Sequence, residues 1–333
     1  MNTVETSRPR HAVINGCKLP TPEAHAAVPA LAKFVSLPAV PASVDWTAPA
    51  MSVIRDAEGN SDYGDCVYAE EAHALAIYTG NANTLYAMTT AQTLAMYSED
   101  TGFNPTDPAT DQGADPIACL QARCTKPYPD GSTLKAFATV DMSNKALVQF
   151  ALATFGSIKL WLALPDTYVS PFPSGDGFVW DVGTPNPRQG HCIGSGGYNS
   201  TRIVGAGCDG VQILTWGMIG TMTWAALAAL CVPSVGGGGA IRVTPDWLSK
   251  TSGKTPSGLD LAGWYTAFDT YLGGKLPIPA PPPPAPVPGA PTATLAQAEA
   301  WLAAGINAGS PLLTKARAIA EANAALAAKW PKS

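Results

Sequence analysis

At 333 residues the chain exceeds one average domain without clearly making two, and it is long enough to bury a core without covalent staples. A formal net charge of −5 with no basic patch speaks against a nucleic-acid partner. No stretch approaches the roughly 18 uninterrupted apolar residues of a membrane span, and the start, MNTVETSRPRHAVING, lacks the apolar core of a secretion signal; synthesis in the cytoplasm without a signal peptide, and no membrane partner, are expected.

Residues 1–42 read as an irregular arm, because Pro20, Pro22, Pro29, Pro38 and Pro41 interrupt every apolar run. The body is expected over 43–275. Its first half carries helical patterns at 66–79, with Gly80 as the C-terminal stop, and at 89–98 and 144–155. Its second half carries strand patterns at 157–164, 177–182, 191–199, 201–207 and 211–217. Helices first and strands second predict an α+β body with a lobe of each kind.

A linker over 276–292 follows, whose LPIPAPPPPAPVPGAP forms a polyproline II spacer of roughly 3 Å per residue. Residues 293–333 read as a small helical module. Thr294 and Gln297 make a capping-box pattern, Pro311 opens a second helix, and Leu295, Ala298, Trp301, Leu302 and Ile306 form one apolar stripe. So small a helical pair needs a surface to pack on, which suggests docking to a particle or an oligomer.

The chemistry centres on GNSDYGDCVYAEEAHAL, residues 59–75, where a polar, glycine-bearing run ends at Cys66 and a helical pattern begins. Unpaired N–H groups and the helix dipole favour a thiolate there, and a useful nucleophile needs a base. There are four histidines. His11 and His25 sit in the arm, His73 lies roughly two turns further along the same helix, and His191 opens a strand after TPNPRQG. The residue types alone leave open whether Cys66 is a nucleophile or a small apolar packing residue. The seven cysteines, 17, 66, 119, 124, 192, 208 and 231, are an odd number and are expected to be mostly free thiols. Cys119 and Cys124 have no second pair at zinc spacing, so no metal and no cofactor are expected.

Four stretches in order resemble the papain-like cysteine proteases. PASVDWT (41–47) is similar to the start of the mature enzymes. The run ending Gly64-Asp65-Cys66 is similar to their Gln-…-Cys-Gly-Ser-Cys-Trp signature, with Asn60 where the family has its oxyanion-hole glutamine. HCIGSGGY (191–198) resembles the histidine strand and VQILTWG (211–217) the strand ending Asn-Ser-Trp-Gly. The interval of 125 residues between Cys66 and His191 suits this family. The resemblance implies a two-lobed papain-like α+β fold, with a helical lobe carrying Cys66, an antiparallel β lobe carrying His191, and a cleft for an extended peptide or protein substrate. Cys66 would attack the carbonyl, His191 would move the proton, Asn60 and the Cys66 N–H would hold the oxyanion, and Trp216 would shield the pair.

The match breaks at several places. The asparagine that orients the histidine aligns with Leu214, which cannot hydrogen-bond; Thr215 is next to it, and strand alternation should turn it away. Val67 stands where the family has a tryptophan and Tyr63 where it has a disulfide-bonded cysteine, and the arm is short for an inhibitory propeptide. The segment TWGMIGTMTWAALAALC resembles a papain-like group of bacterial and bacteriophage genomes, which implies a phage or prophage product associated with a virion. Two readings therefore stand: a cysteine peptidase, supported by Cys66, His191 and Asn60, or a catalytically idle papain-fold virion component (decoration, tail or adhesion), supported by Leu214.

Other patterns carry less. Gly205-Ala-Gly207-Cys-Asp-Gly210 matches a dinucleotide loop, but a strand rather than a helix follows it, so a hairpin turn is expected. Asp56, Glu58, Asn60 and Asp62 alternate like a calcium loop but lack its central glycine and final glutamate. Asp107, Asp111 and Asp115 read as solvated loop residues.

Overall fold

The proline-broken arm does not stay irregular. In the computed structural model, which describes residues 16–33, 35, 37, 39–199, 209–248 and 254–258, Thr21 caps a short helix α1 (Pro22–Ala26) and accepts from the Ala24 N–H at 3.2 Å. Cys17, Val28 and Leu31 are buried, so this part of the arm is packed onto the body. Strand β1 (Val44–Asp45) and a one-turn helix α2 (Met51–Ile54) lead into the polar loop before Cys66.

Helix α3 (Cys66–Asn81) is buried at every position from Cys66 to Gly80. A helix without a solvent face is a central one. Gly80 is not its stop, as the sequence suggested. It lies inside the helix, where a Cβ would come 3.0 Å from Pro49, and Asn81 closes the turn by donating to the carbonyls of Ile77 and Trp46. The glycine serves close packing rather than termination.

Helix α4 (Thr90–Thr101) has a full capping box from Thr89 and Gln92 and ends at Gly102 in the left-handed region. Helix α5 (Pro116–Arg123) was not expected. Asp115 nucleates it by accepting from the N–H groups of Ile117 and Ala118 at 2.7 and 3.1 Å. Asp107 caps a 3-10 turn, and Asp111 accepts from the Gly64 N–H and the Tyr97 hydroxyl. The three aspartates thus hold the loops of the helical part together instead of merely facing water.

Strand β2 (Ala136–Thr139) and helix α6 (Lys145–Phe155), capped by Asn144, precede the main strands: β3 (Ile158–Ala163), β4 (Val179–Trp180), β5 (Gly190–Tyr198), β6 (Gly210–Thr215) and β7 (Met218–Thr223). Helix α7 (Trp224–Leu230) and β8 (Gly238–Val243) complete the described elements. The sheet runs β2-β8-β3-β5-β6-β7-β4, with β1 paired to β5, and every pairing is antiparallel except β4 with β7. The fold is therefore mixed α+β, a helical part beside an eight-stranded, mostly antiparallel sheet. Chain order is less strict than expected, since β1 and β2 precede the main strands and α6 and α7 are interleaved with them. The expected strand at 177–182 is only Val179–Trp180. The expected strand 201–207 and most of the dinucleotide-like turn lie outside the described residues, as do the linker 276–292 and the helical module 293–333; β6, not a helix, follows that turn.

Alternation along β5 divides the interior. Ile193 joins the sheet core with α6 and α7, while Cys192 joins the helical core with Cys66, Leu75, Met96 and Leu120. Where α3 crosses the sheet, four charges are buried together. Lys159 on β3 donates to Glu70 and Glu71 at 2.7 and 2.8 Å, and Arg242 on β8 donates to Glu71 at 2.8 and 3.1 Å and also pairs with Glu70. Gly194, opposite Lys159 in register, leaves room for Glu70. Burial opposes ionisation of Glu71, but Arg242 and Lys159 outweigh it and hold the carboxyl below its usual range. Glu71→Ala strands a cation in the core, so urea unfolding should show a loss of about 3–5 kcal/mol; a loss near zero would mean that the cluster does not hold α3 to the sheet.

Candidate active site

Cys66 is the first residue of α3. Its neighbour Asp65 occupies the N-cap without making a capping bond and is fully buried. Burial, reinforced by Asp111 and Glu58, raises the Asp65 carboxyl far above its usual range. The thiol itself is 1% exposed, and burial pushes it up to about 12. The N–H groups of Cys192 and Val67 and the Lys159 charge oppose that rise without cancelling it. The helix start favours a thiolate, as the sequence argument held, but desolvation wins in this form.

His191 opens β5 and is completely buried. Its Nε2 lies 2.7 Å from the Thr215 hydroxyl, and the Trp216 indole stacks on the ring at 4.4 Å between centroids and 14° between planes. Nδ1 has no hydrogen-bond partner, so the thiol and the ring are not hydrogen-bonded to each other. Burial lowers the imidazole to about 3, which leaves it neutral.

Thr215 does not turn away from the histidine. The alignment on Trp-Gly put Leu214 at the orienting position, but alternation in the sheet decides the face. His191 and Ile193 on β5 share a face with Ile213 and Thr215 on β6, while Leu214 packs on the other with Ile54, Ile77 and Trp247. A one-residue shift of register exchanges the two. Asn60 is buried beside Asp65, and its amide donates to the Tyr63 carbonyl at 3.1 Å, inside its own loop. Of the other histidines, His73 is tied to the Asp56 carbonyl at 2.8 Å and His25 packs against Trp161; His11 lies outside the described residues.

The arm supplies what sequence reasoning missed. The Cys17 N–H donates to the Gly190 carbonyl at 3.2 Å. The Ala114 N–H donates to the Gly16 carbonyl at 3.0 Å, and the Lys18 N–H to the Ala114 carbonyl at 2.8 Å. An extended segment is thus held by main-chain bonds on two sides, by the residue before His191 and by the helical part. The approach is close enough to demand glycine. A Cβ on Gly16 would lie 2.6 Å from the Gly64 carbonyl oxygen, two residues before Cys66, and one on Gly190 would lie 1.9 Å from the Cys17 oxygen. Cys17 packs in the same core as Cys66 and Cys192. The only signal for this in the sequence is the isolated Gly16-Cys17 pair amid the prolines. The six described cysteines are free thiols, and among the described residues no group of three or more metal-binding side chains converges.

No protein-family model matches the chain, and no curated protein matches it. Similar solved structures include digestive procathepsin L 3 of Tenebrio molitor larval midgut (17% identity, 70% of this chain and 77% of that one, TM-score 0.49) and proCathepsin B S9 from Trypanosoma congolense (10%, 70% and 88%, 0.48). Xylellain, a cysteine protease from Xylella fastidiosa, is also similar (12%, 70% and 92%, 0.36).

The buried ionisable groups around Cys66 set opposite pH slopes. Burial and the Asp56 charge raise Glu58 to about 7, so the folded state holds its proton more tightly than the unfolded chain, and the stability this gives is lost as pH rises through about 7. His191 is lowered, so its contribution is present above about 6.5 and is lost as pH falls toward 3. Urea unfolding of Glu58→Gln should lose less stability than wild type on going from about pH 5 to 8, by roughly 1–2 kcal/mol; parallel profiles would show that Glu58 is not protonated in the fold.

Proposed function

We propose that the chain is a papain-like cysteine peptidase held in a latent form by its own N-terminal segment. The observation that carries this reading is the extended main chain of Gly16–Lys18, held from two sides beside Cys66. A site that grips peptide backbone in this way suits an extended peptide or protein substrate.

Cys66 is the nucleophile. His191, its Nε2–H donated to Thr215, offers Nδ1 to take the thiol proton. Thr215 stands in for the orienting asparagine, and Trp216 covers the ring. The thiolate adds to the peptide carbonyl carbon and the Cys66 N–H stabilises the oxyanion, with the Asn60 amide as a second donor once its loop releases it. Collapse expels the amine, which takes the proton back from His191; water, deprotonated by the same ring, then cleaves the thioester. In the form described the pair is disarmed by burial, because a thiol near 12 cannot pass its proton to an imidazole near 3. Admitting water removes the desolvation that separates the two values and so arms the pair.

A second reading has one observation in its favour. Both residues are wholly buried and the arm is built into the core, which also suits a scaffold that never opens; the linker and C-terminal module would then serve attachment, as in the phage-associated setting suggested by the Thr-Trp-Gly pattern. Gly16→Val separates the two. The new side chain collides with the Gly64 carbonyl and expels the arm while every residue of the body stays as it is. Incubated with a peptide library, this variant should cleave where wild type does not. Adding Cys66→Ala should abolish cleavage, and adding Thr215→Val should lower kcat by roughly 10–100-fold. If Cys66 becomes accessible to alkylation in Gly16→Val and no peptide is cut, the chain is a scaffold.

A further inference from the structure

A lysine in the middle of SIKLWLAL is out of place, since an ammonium taken from water costs several kcal/mol unless it is fully paired. Lys159 has three donors and uses all of them. Two go to Glu70 and Glu71. The third goes to the Val67 carbonyl at 2.7 Å, the residue immediately after Cys66. Neutralising the cation needs only the carboxylates; the third bond clamps the first turn of α3, whose Val67 N–H is directed at the thiol. Small neighbours make room for this, with Gly194 and Ala240 flanking Lys159 on the adjacent strands.

The charge balance gives the clamp a second consequence. Glu70 and Glu71 on α3 are matched by Lys159 and Arg242, so the cluster is neutral. The other titratable groups facing Lys159 are Cys66 on α3, Cys119 on α5, Cys192 on β5 and Cys17 in the arm. Asp65, beside Cys66, has its carboxyl raised far above the usual range by burial, and where ionised it opposes Lys159 at the thiol. Removing Lys159 leaves a net negative charge behind the thiol.

We propose that Lys159 is a positioning residue for Cys66, fixing the first turn of α3 through the Val67 carbonyl and supplying the positive charge against which a Cys66 thiolate forms. That use of the thiolate rests on the peptidase reading; the effect of Lys159 on the thiol does not.

The test follows iodoacetamide alkylation of Cys66 by peptide mass spectrometry, on the full chain between about pH 7 and 10. Lys159→Met should slow the reaction at least tenfold at any one pH, because a thiol about one pH unit weaker is about tenfold less ionised. Lys159→Arg should stay within about threefold of wild type, and Lys159→Met with Glu70→Gln, which balances the charge count but restores neither the bond to the Val67 carbonyl nor the cation, should stay more than about threefold below wild type. A purely packing role would loosen α3 and leave both methionine variants equally fast or faster than wild type, which would overturn the proposal. If Lys159→Met does not fold, the double variant decides alone: a rate within about threefold of wild type would overturn it. Should His191→Ala leave the Cys66 rate unchanged while Lys159→Met lowers it, the peptidase reading falls and this one stands; the reverse result removes Lys159 and keeps the peptidase.

Discussion

Four charges carried into the core fix the position of the central helix. Glu70 and Glu71 can sit on a wholly buried α3 only because Lys159 and Arg242 reach them from two strands. Each cation would be intolerable alone, so the helix has one place where all four charges are paired. Cys66, at its N-terminus, is thereby delivered to the N–H of Cys192, the residue that follows His191. The geometry of the site is a consequence of the core beneath it.

In the proposed peptidase, the same burial that builds the site also silences it. The thiol is raised and the imidazole lowered by one cause, desolvation. Neither group lacks its supporting parts: helix-start N–H groups and a lysine act on the cysteine, and a hydroxyl and an indole act on the histidine. What covers them is in part the arm, whose segment Gly16–Lys18 is fastened by three main-chain bonds and two glycine contacts, while Cys17, Val28 and Leu31 are buried against the body. Such an attachment is specific and local, and a change at one arm residue is enough to disturb it.

Much of this was legible in the sequence, and the failures share a pattern. The abrupt change from polar loop to helix marked Cys66, and the glycine-rich strand after TPNPRQG marked His191, because both are local signals. Thr215 was misjudged because motif alignment cannot fix register, and one residue of slip exchanges the faces of β6. Gly80 looked like a helix stop because its role lies in a contact with Pro49, far in sequence. The arm's place depends on three glycines distant along the chain. Lys159 and Arg242 were readable in principle, since a lone charge within an apolar strand signals a buried partner, and Glu70-Glu71 on an otherwise apolar helix supplies it.

In the proposed peptidase, the segment Gly16–Lys18 holds the place of a peptide substrate at a competent Cys66–His191 pair. A crystal structure of the Gly16→Val chain soaked with a peptidyl aldehyde tests it most directly. The account predicts a hemithioacetal, with Cys66 Sγ bonded to the aldehyde carbon, the inhibitor backbone on Gly190 and Ala114, and His191 still hydrogen-bonded to Thr215. An arm still seated there, or an empty opened site with an unmodified thiol, would contradict it.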